Sequence, residues 1–282
     1  MWSRLTGTAV VVAVLFGLPV SPSRAHQAKA DECQCPPSRY ENAEGYYSQF
    51  YEDYILAYVF ADFGTGFYVD VGANDPNRSN TTRLFYEKGW RGINIEPNVL
   101  EYEKIVKFRP RDLNYNCGVG DAAGTMTFYR GQGREDQIST FDAKLAESLR
   151  RDKGFRLTPV RVPVMTLTSL LSKQAIPEIT FMSIDVEGFE ARVIRALDLS
   201  RYRPIVFCIE ATKPGTEIPA YAAWEAMLTK AGYVFAAFDG LNRYYVRKDT
   251  ASLLPRFIFV DMCVKRSKLT RRIKLDGFNP WN

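Results

Sequence analysis

The stretch FYVDVGANDP, residues 67–76, decides how the chain is read. Phe67 to Val71 has the character of a buried strand, carries an acid at Asp70, and breaks at once on a single glycine, Gly72. Open parallel sheets bind their ligands outside the carboxyl ends of such strands. A dinucleotide fingerprint there needs Gly-x-Gly-x-x-Gly, so that backbone N–H groups can reach a pyrophosphate. The corresponding positions are Gly72, Asn74 and Asn77, so two of the three glycines are missing. No Walker A loop occurs either. This turn is not built for a pyrophosphate.

Strand and helix signals alternate downstream. Ser79 or Asn80 can cap a helix that runs to Lys88 and stops at Gly89. A second strand is expected over 91–95, a helix over about 99–108 and a third strand over about 113–117. A less regular insert covers 118 to about 167, with a strand over 125–129, a polar Gly-rich loop over 131–139 and a charged helix over 143–151. EITFMSIDVEG (178–188) is an apolar strand that meets acids, and 188–197 has helical periodicity. PIVFCIEAT (204–212) repeats the pattern and ends in Glu210, and 221–231 reads as helical. YVFAAFDGLNRYYV (233–246) is a hairpin turning at Asp239–Asn242. Ahead of all this, YYSQFYEDYILAYVF (46–60) has helical spacing and is expected to pack on the sheet's edge. Repeated strand–helix units imply an α/β fold, a doubly wound and mostly parallel sheet, with the hairpin adding one antiparallel strand at an edge.

Four of these strands end in acid at one rim: Asp70, Glu96 in INIEPN, Asp185 with Glu187 in SIDVEG, and Glu210 in CIEAT. Asp121, in NCGVGD, follows the third strand closely. A lone carboxylate there is most simply a helix cap or a solvated side chain. Four at one rim repel one another unless something positive or hydrogen-bonding binds. Glu96, at the end of the second strand, is placed to accept hydrogen bonds from ribose hydroxyls. A cofactor with a nucleoside, no phosphate and a positive centre fits, and S-adenosylmethionine is such a molecule.

Composition narrows the chemistry. The chain has 282 residues, 46% hydrophobic, with 18 Phe, 16 Tyr and 4 Trp, enough for one sizeable domain with short appendages. Its only histidine, His26, lies near the N-terminus. A folded domain without histidine has no Ser-His-Asp triad, no Cys-His pair and no His-ligated zinc. Carboxylates, tyrosines, lysines or a bound cofactor must carry the reaction. Five cysteines at irregular spacing (33, 35, 117, 208 and 263) are not a disulfide framework, and Cys117 and Cys208 read as buried hydrophobes.

The segments VDVGANDP, SNTTRLFYEKGWRGINIEP, FMSIDVEGFEARVIRAL and FDGLNRYYV resemble, in that order over about 67–246, the FkbM-type S-adenosylmethionine-dependent methyltransferases. The resemblance implies a class I methyltransferase (Rossmann-like) fold with a seven-stranded sheet. It implies O-methylation, commonly of sugar hydroxyls in polysaccharides, glycolipids or glycosylated natural products. Carried over by position, Asp70, Gly72, Ala73 and Asn74 would form the first cofactor loop and Glu96 would hold the ribose. The segment from Cys117 to Asp121 would lie near the adenine. The family often has lysine ahead of the I-D-V-E-G stretch, where this chain has Ser183.

Methyl transfer from a sulfonium needs alignment and, at most, a group to take a proton. Asp185 is the first choice for that base or orienting group, with Glu187 and Glu210 placing the acceptor. Divalent-metal assistance stays open with so many carboxylates. Two other readings are a nicotinamide-dependent sugar oxidoreductase, which the missing glycines disfavour, and a non-catalytic binding module on the same fold.

The termini differ from the body of the chain. Residues 1–25 carry Arg4, an apolar centre over 9–16 and the small-residue pattern Ser23-Arg24-Ala25, which reads as an export signal cleaved near Ala25 or Ala30, or as an uncleaved anchor. The expected organisation is that segment, a linker over 26–45, a methyltransferase domain over 46–260 and a basic tail over 261–282. KRSKLTRRIK (265–274) has six Lys or Arg in ten residues and is either a solvated surface or a membrane-surface contact. The expected partner is a sugar or glycan acceptor, with no nucleic acid. The location is exported or membrane-associated, with the cytoplasm as the alternative.

Overall fold

The computed structural model describes residues 46–131 and 138–258. The expected export segment, the whole linker, the basic tail and most of the Gly-rich loop lie outside those residues.

Among the described residues, ten strands form two sheets. The larger one takes β1 (Phe67–Val71), β2 (Arg91–Ile95), β3 (Leu113–Tyr115), β7 (Phe181–Ile184), β8 (Val206–Glu210), β9 (Tyr233–Phe238) and β10 (Asn242–Arg247). Its order is β3-β2-β1-β7-β8-β10-β9. All neighbouring pairs from β3 to β8 are parallel, and β10 runs antiparallel to both β8 and β9. The seven-stranded, mostly parallel sheet is therefore as expected, with one correction. The single antiparallel strand is not at the edge. β10 turns back between β8 and β9, so that β9 forms the edge and runs with the rest.

The smaller sheet has order β4-β6-β5, from β4 (Gly118–Val119), β5 (Gly124–Gly131) and β6 (Leu157–Met165). β6 was not expected as a strand. The helices are α1 (Glu52–Val59), α2 (Arg83–Glu87), α3 (Val99–Phe108), α4 (Ala143–Lys153), α5 (Leu167–Leu171), α6 (Glu190–Arg195) and α7 (Glu225–Lys230).

Every residue of β1, β7 and β8 is buried, as a parallel sheet covered on both faces requires. One core cluster runs from Val69, Ile93, Met182 and Phe207 to Leu167, Val193 and Trp224. The other joins Tyr68, Phe181 and Tyr244 to Leu56, Val59 and Phe60. The N-terminal helix α1 thus covers the middle of one sheet face, not its edge. Phe60 and Tyr68 stack on Phe181, at ring separations of 6.2 and 5.9 Å. The helix after the first strand starts later than expected. α2 begins at Arg83, and Asn80 uses its side-chain oxygen on Thr82 N at 3.2 Å without capping the helix. The α3 helix matches its expected bounds, with Asn98 as a side-chain cap on Leu100 N. Among the described residues no helix is long and apolar enough to cross a membrane.

Candidate functional site

The carboxyl ends of β1, β2 and β7 open onto a cleft, part of it exposed to solvent. Its floor is the turn after β1. Gly72 there has φ +84°, and a Cβ on it would lie 1.9 Å from the carbonyl oxygen of Asp185. Only glycine tolerates both the left-handed backbone and that approach. Gly72 therefore lets the ends of β1 and β7 meet, and its N–H donates to Ile95 O at 2.9 Å. Asn74 is also left-handed, at φ 47°, a conformation that asparagine accepts more readily than most residues. Asn80 fixes the loop from below, its Nδ2 donating to Ala73 O at 3.0 Å.

Glu96 closes the floor. Asn74 N donates to its Oε2 at 2.8 Å and Asn98 N to its Oε1 at 2.7 Å. Each oxygen keeps a lone pair for a ligand. Burial pushes Glu96 up to about 7, and the two backbone amides act in the opposite direction. Asp70 is buried beside it and accepts from Thr82 Oγ1 at 2.8 Å. Burial pushes Asp70 up to about 7 as well, against the Thr82 hydrogen bond and the Arg109 charge.

The far wall carries the second acidic group. Ser183, Asp185 and Glu187 all line the cleft. The side chain of Asp185 is solvent-exposed. The protein around it still pushes its carboxyl up to about 6, while a hydrogen bond from Glu210 acts the other way. At Glu210, burial and the charges of Asp185, Glu187 and Glu190 raise the carboxyl strongly. Glu187 is held at φ 52°, a strained conformation for a side chain of its kind. Two contacts support it. Thr140 Oγ1 donates to Glu187 O at 2.8 Å, and Glu190 Oε1 accepts from Val186 N at 3.3 Å and Gly188 N at 3.0 Å.

The cleft thus gathers Asp70, Gly72, Ala73, Asn74, Glu96, Asp185 and Glu187. Glu210 stands behind the wall, in contact with Asp185 but not on the surface. Asp121 stands apart. It is exposed, pairs with Arg192 at 3.3 Å and does not line the cleft, although Cys117, Gly118 and Val119 from its segment do. Sequence reasoning missed Thr82, Glu190, Gln49 and the aromatic wall of Phe128 and Phe141. An acid in the first turn of α6 was the available signal for Glu190. Phe128 and Phe141 belong to the irregular insert, and nothing local to them points at the cleft. No three carboxylates or cysteines converge as metal ligands do among the described residues.

A nucleoside fits these walls: buried acceptors and backbone amides at one end, and apolar Ile95, Val119, Phe128 and Phe141 beside them. The sequence profile of the methyltransferase FkbM domain matches residues 70–235, more than half of the chain and all of this cleft except Gln49. No curated protein matches. Among solved structures, a fibrillarin/Nop5p complex is similar at 9% identity, over 68% of this chain and 80% of that one, with a TM-score of 0.36.

Proposed function

The chain belongs to the FkbM methyltransferase family, and from that premise we propose that it transfers the methyl group of S-adenosylmethionine to a hydroxyl of a sugar or glycan. The observation that carries the reading is the family match, which spans both acidic groups of the cleft. The bound cofactor supplies a methyl group already activated on a positive sulfur. The protein's own work is to bind, align and take a proton.

Glu96 is placed to accept from ribose hydroxyls while its two backbone amides hold it in position. The backbone of Ala73 and Asn74 shapes the same end. Asp185 reaches solvent in the cleft and is the carboxylate that can meet an acceptor hydroxyl. It takes the hydroxyl proton as the oxygen gains the methyl group, a role that suits a carboxylate raised to about 6. Phe128 and Phe141 keep water from the apolar side. Methyl transfer from isotope-labelled S-adenosylmethionine, measured over a panel of sugars, polysaccharides and glycolipids, tests this directly. Labelled product on a glycan hydroxyl supports it, and tight cofactor binding without transfer to any glycan would leave a binding module instead.

The N-terminal segment and the basic run over 265–274 support an exported or membrane-surface location. Mass spectrometry of the mature protein from its native host checks this, with residues 1–25 either removed or retained as an anchor.

A further inference from the structure

Among the described residues Gln49 is the one member of the cleft that lies outside the family match, and it reaches the cleft on a strap ahead of α1. The strap is fastened on both sides of it. Asp53 is fully buried and accepts from Tyr47 N at 2.6 Å and from the Ser48 hydroxyl. The Tyr47 ring lies under the Arg83 guanidinium at 3.7 Å, and its hydroxyl donates to Glu87 at 2.7 Å. After Gln49, Glu52 accepts from Phe50 N at 2.7 Å and from Asn242 Nδ2 at 2.9 Å. The polar side chains of Tyr47, Ser48, Glu52 and Asp53 are thus all engaged in holding the strap. The Gln49 side chain is exposed, lines the cleft and forms no hydrogen bond among the described residues.

The same lip carries Ser79 and Thr81. Asn80 N donates to Tyr47 O at 3.2 Å, which sets the strap beside this loop. Both hydroxyls belong to residues that line the cleft, and neither forms a hydrogen bond among the described residues. The non-glycine positions with a left-handed backbone there are Tyr51, Asn74, Ser79 and Glu187, and all but Tyr51 line the cleft. Strained backbone of this kind gathers at ligand clamps.

The charged side chains that line the cleft are all acids, and no lysine, arginine or histidine among the described residues joins them. S-adenosylmethionine ends in an ammonium and a carboxylate. The ammonium can choose among carboxyl and carbonyl oxygens. The carboxylate meets no cation, so neutral donors must hold it. Ser183 offers a hydroxyl, but it lies opposite Asp70 in the sheet and two residues before Asp185. We propose that Gln49, with Ser79 and Thr81, receives the carboxylate at the amino-acid end of the cofactor. This rests on the methyl-transfer reading above. The strap ahead of α1 is then part of the cofactor site, and Gln49 is the side chain by which it completes that site.

Calorimetric titration of the full chain tests this with two probes: S-adenosylhomocysteine, and its decarboxylated analogue, which keeps the ammonium and lacks the carboxylate. The parent should bind S-adenosylhomocysteine more tightly than the analogue. Gln49→Ala should weaken S-adenosylhomocysteine by at least about fivefold and leave the analogue unchanged. Gln49→Glu sets one carboxylate against another, so it should weaken S-adenosylhomocysteine further without weakening the analogue. A strap that merely holds the fold would move both probes together. Equal binding of the two probes by the parent, an equal loss for both in the variants, or unchanged S-adenosylhomocysteine affinity in Gln49→Ala overturns the proposal. Tighter S-adenosylhomocysteine binding by Gln49→Glu also overturns it, because the amide would then face the ammonium. A parent protein that binds neither probe fails earlier, at the methyl-transfer reading, and takes the proposal with it.

Discussion

Asp185 and Gly72 meet at the junction of β1 and β7, and each can be tested by one substitution. Asp185→Asn keeps the size of the side chain and removes its charge and proton-accepting ability. Turnover should fall by about 100-fold or more, the usual scale for a positioned base. Cofactor affinity should change little, because the Glu96 end of the cleft carries it. Parallel measurement of methyl transfer and cofactor binding checks this, and a mutant that transfers at the parent rate would move the role to Glu187 or Glu210. Gly72→Ala acts on structure. Its Cβ meets backbone, which cannot swing away as a side chain can. The melting temperature should drop by the equivalent of at least about 1 kcal/mol. An unchanged melting curve would contradict the close packing of the two strand ends. The acidic residues were legible in the sequence because each ends an apolar run. Their supports were not, since Thr82, Asn98 and Glu190 act through contacts that only the fold creates. A strand-end carboxylate looks expendable in the sequence, yet Glu96 ties two loops together through Asn74 N and Asn98 N.

Between residue and molecule, the turn over 186–188 is the most tightly specified element of the site. Glu190 holds it by accepting from Val186 N and Gly188 N. Glu190→Ala removes the one oxygen that accepts both bonds, so the amides of Val186 and Gly188 should exchange hydrogen markedly faster, with turnover falling more than cofactor affinity. Unaltered exchange at both amides would show that the turn does not depend on Glu190. Elements with plain periodicity were readable, such as β1, β2 and α3. The strand β6 was not, because Pro159, Arg161 and Pro163 break its pattern and proline argues against a central strand. The fold resolves this. β6 pairs with β4 only at Val164 and Met165, so both prolines lie where its other side is open. The hairpin of β9 and β10 was visible as a hairpin. Its insertion beside β8 was not, because local sequence fixes the turn but not the partner that a strand adds to.

For the whole molecule, the decisive property is a rim of raised carboxyls: Asp70, Glu96 and Glu190 to about 7 through burial, and Asp185 to about 6. A carboxyl whose folded-state pKa lies above its unfolded value holds a proton that the unfolded chain has released. Its contribution to stability is fully present below the ordinary carboxylate range and is lost as pH rises through the folded value. The ligand-free protein should therefore become less stable from about pH 5 to about pH 8. Thermal unfolding across that window checks this, and a melting temperature that rises with pH would contradict the buried rim. The central claim is that this rim receives S-adenosylmethionine with Glu96 on its ribose, and calorimetric titration of S-adenosylhomocysteine into the parent and into Glu96→Gln tests it most directly. Glutamine keeps one acceptor for the loop amides and gives up the charge, so the variant should stay folded. The prediction is one-to-one binding to the parent and a loss of about 1.5–3 kcal/mol, tenfold or more, in the variant. Equal affinity for the two proteins, or no binding to the parent, would contradict the account.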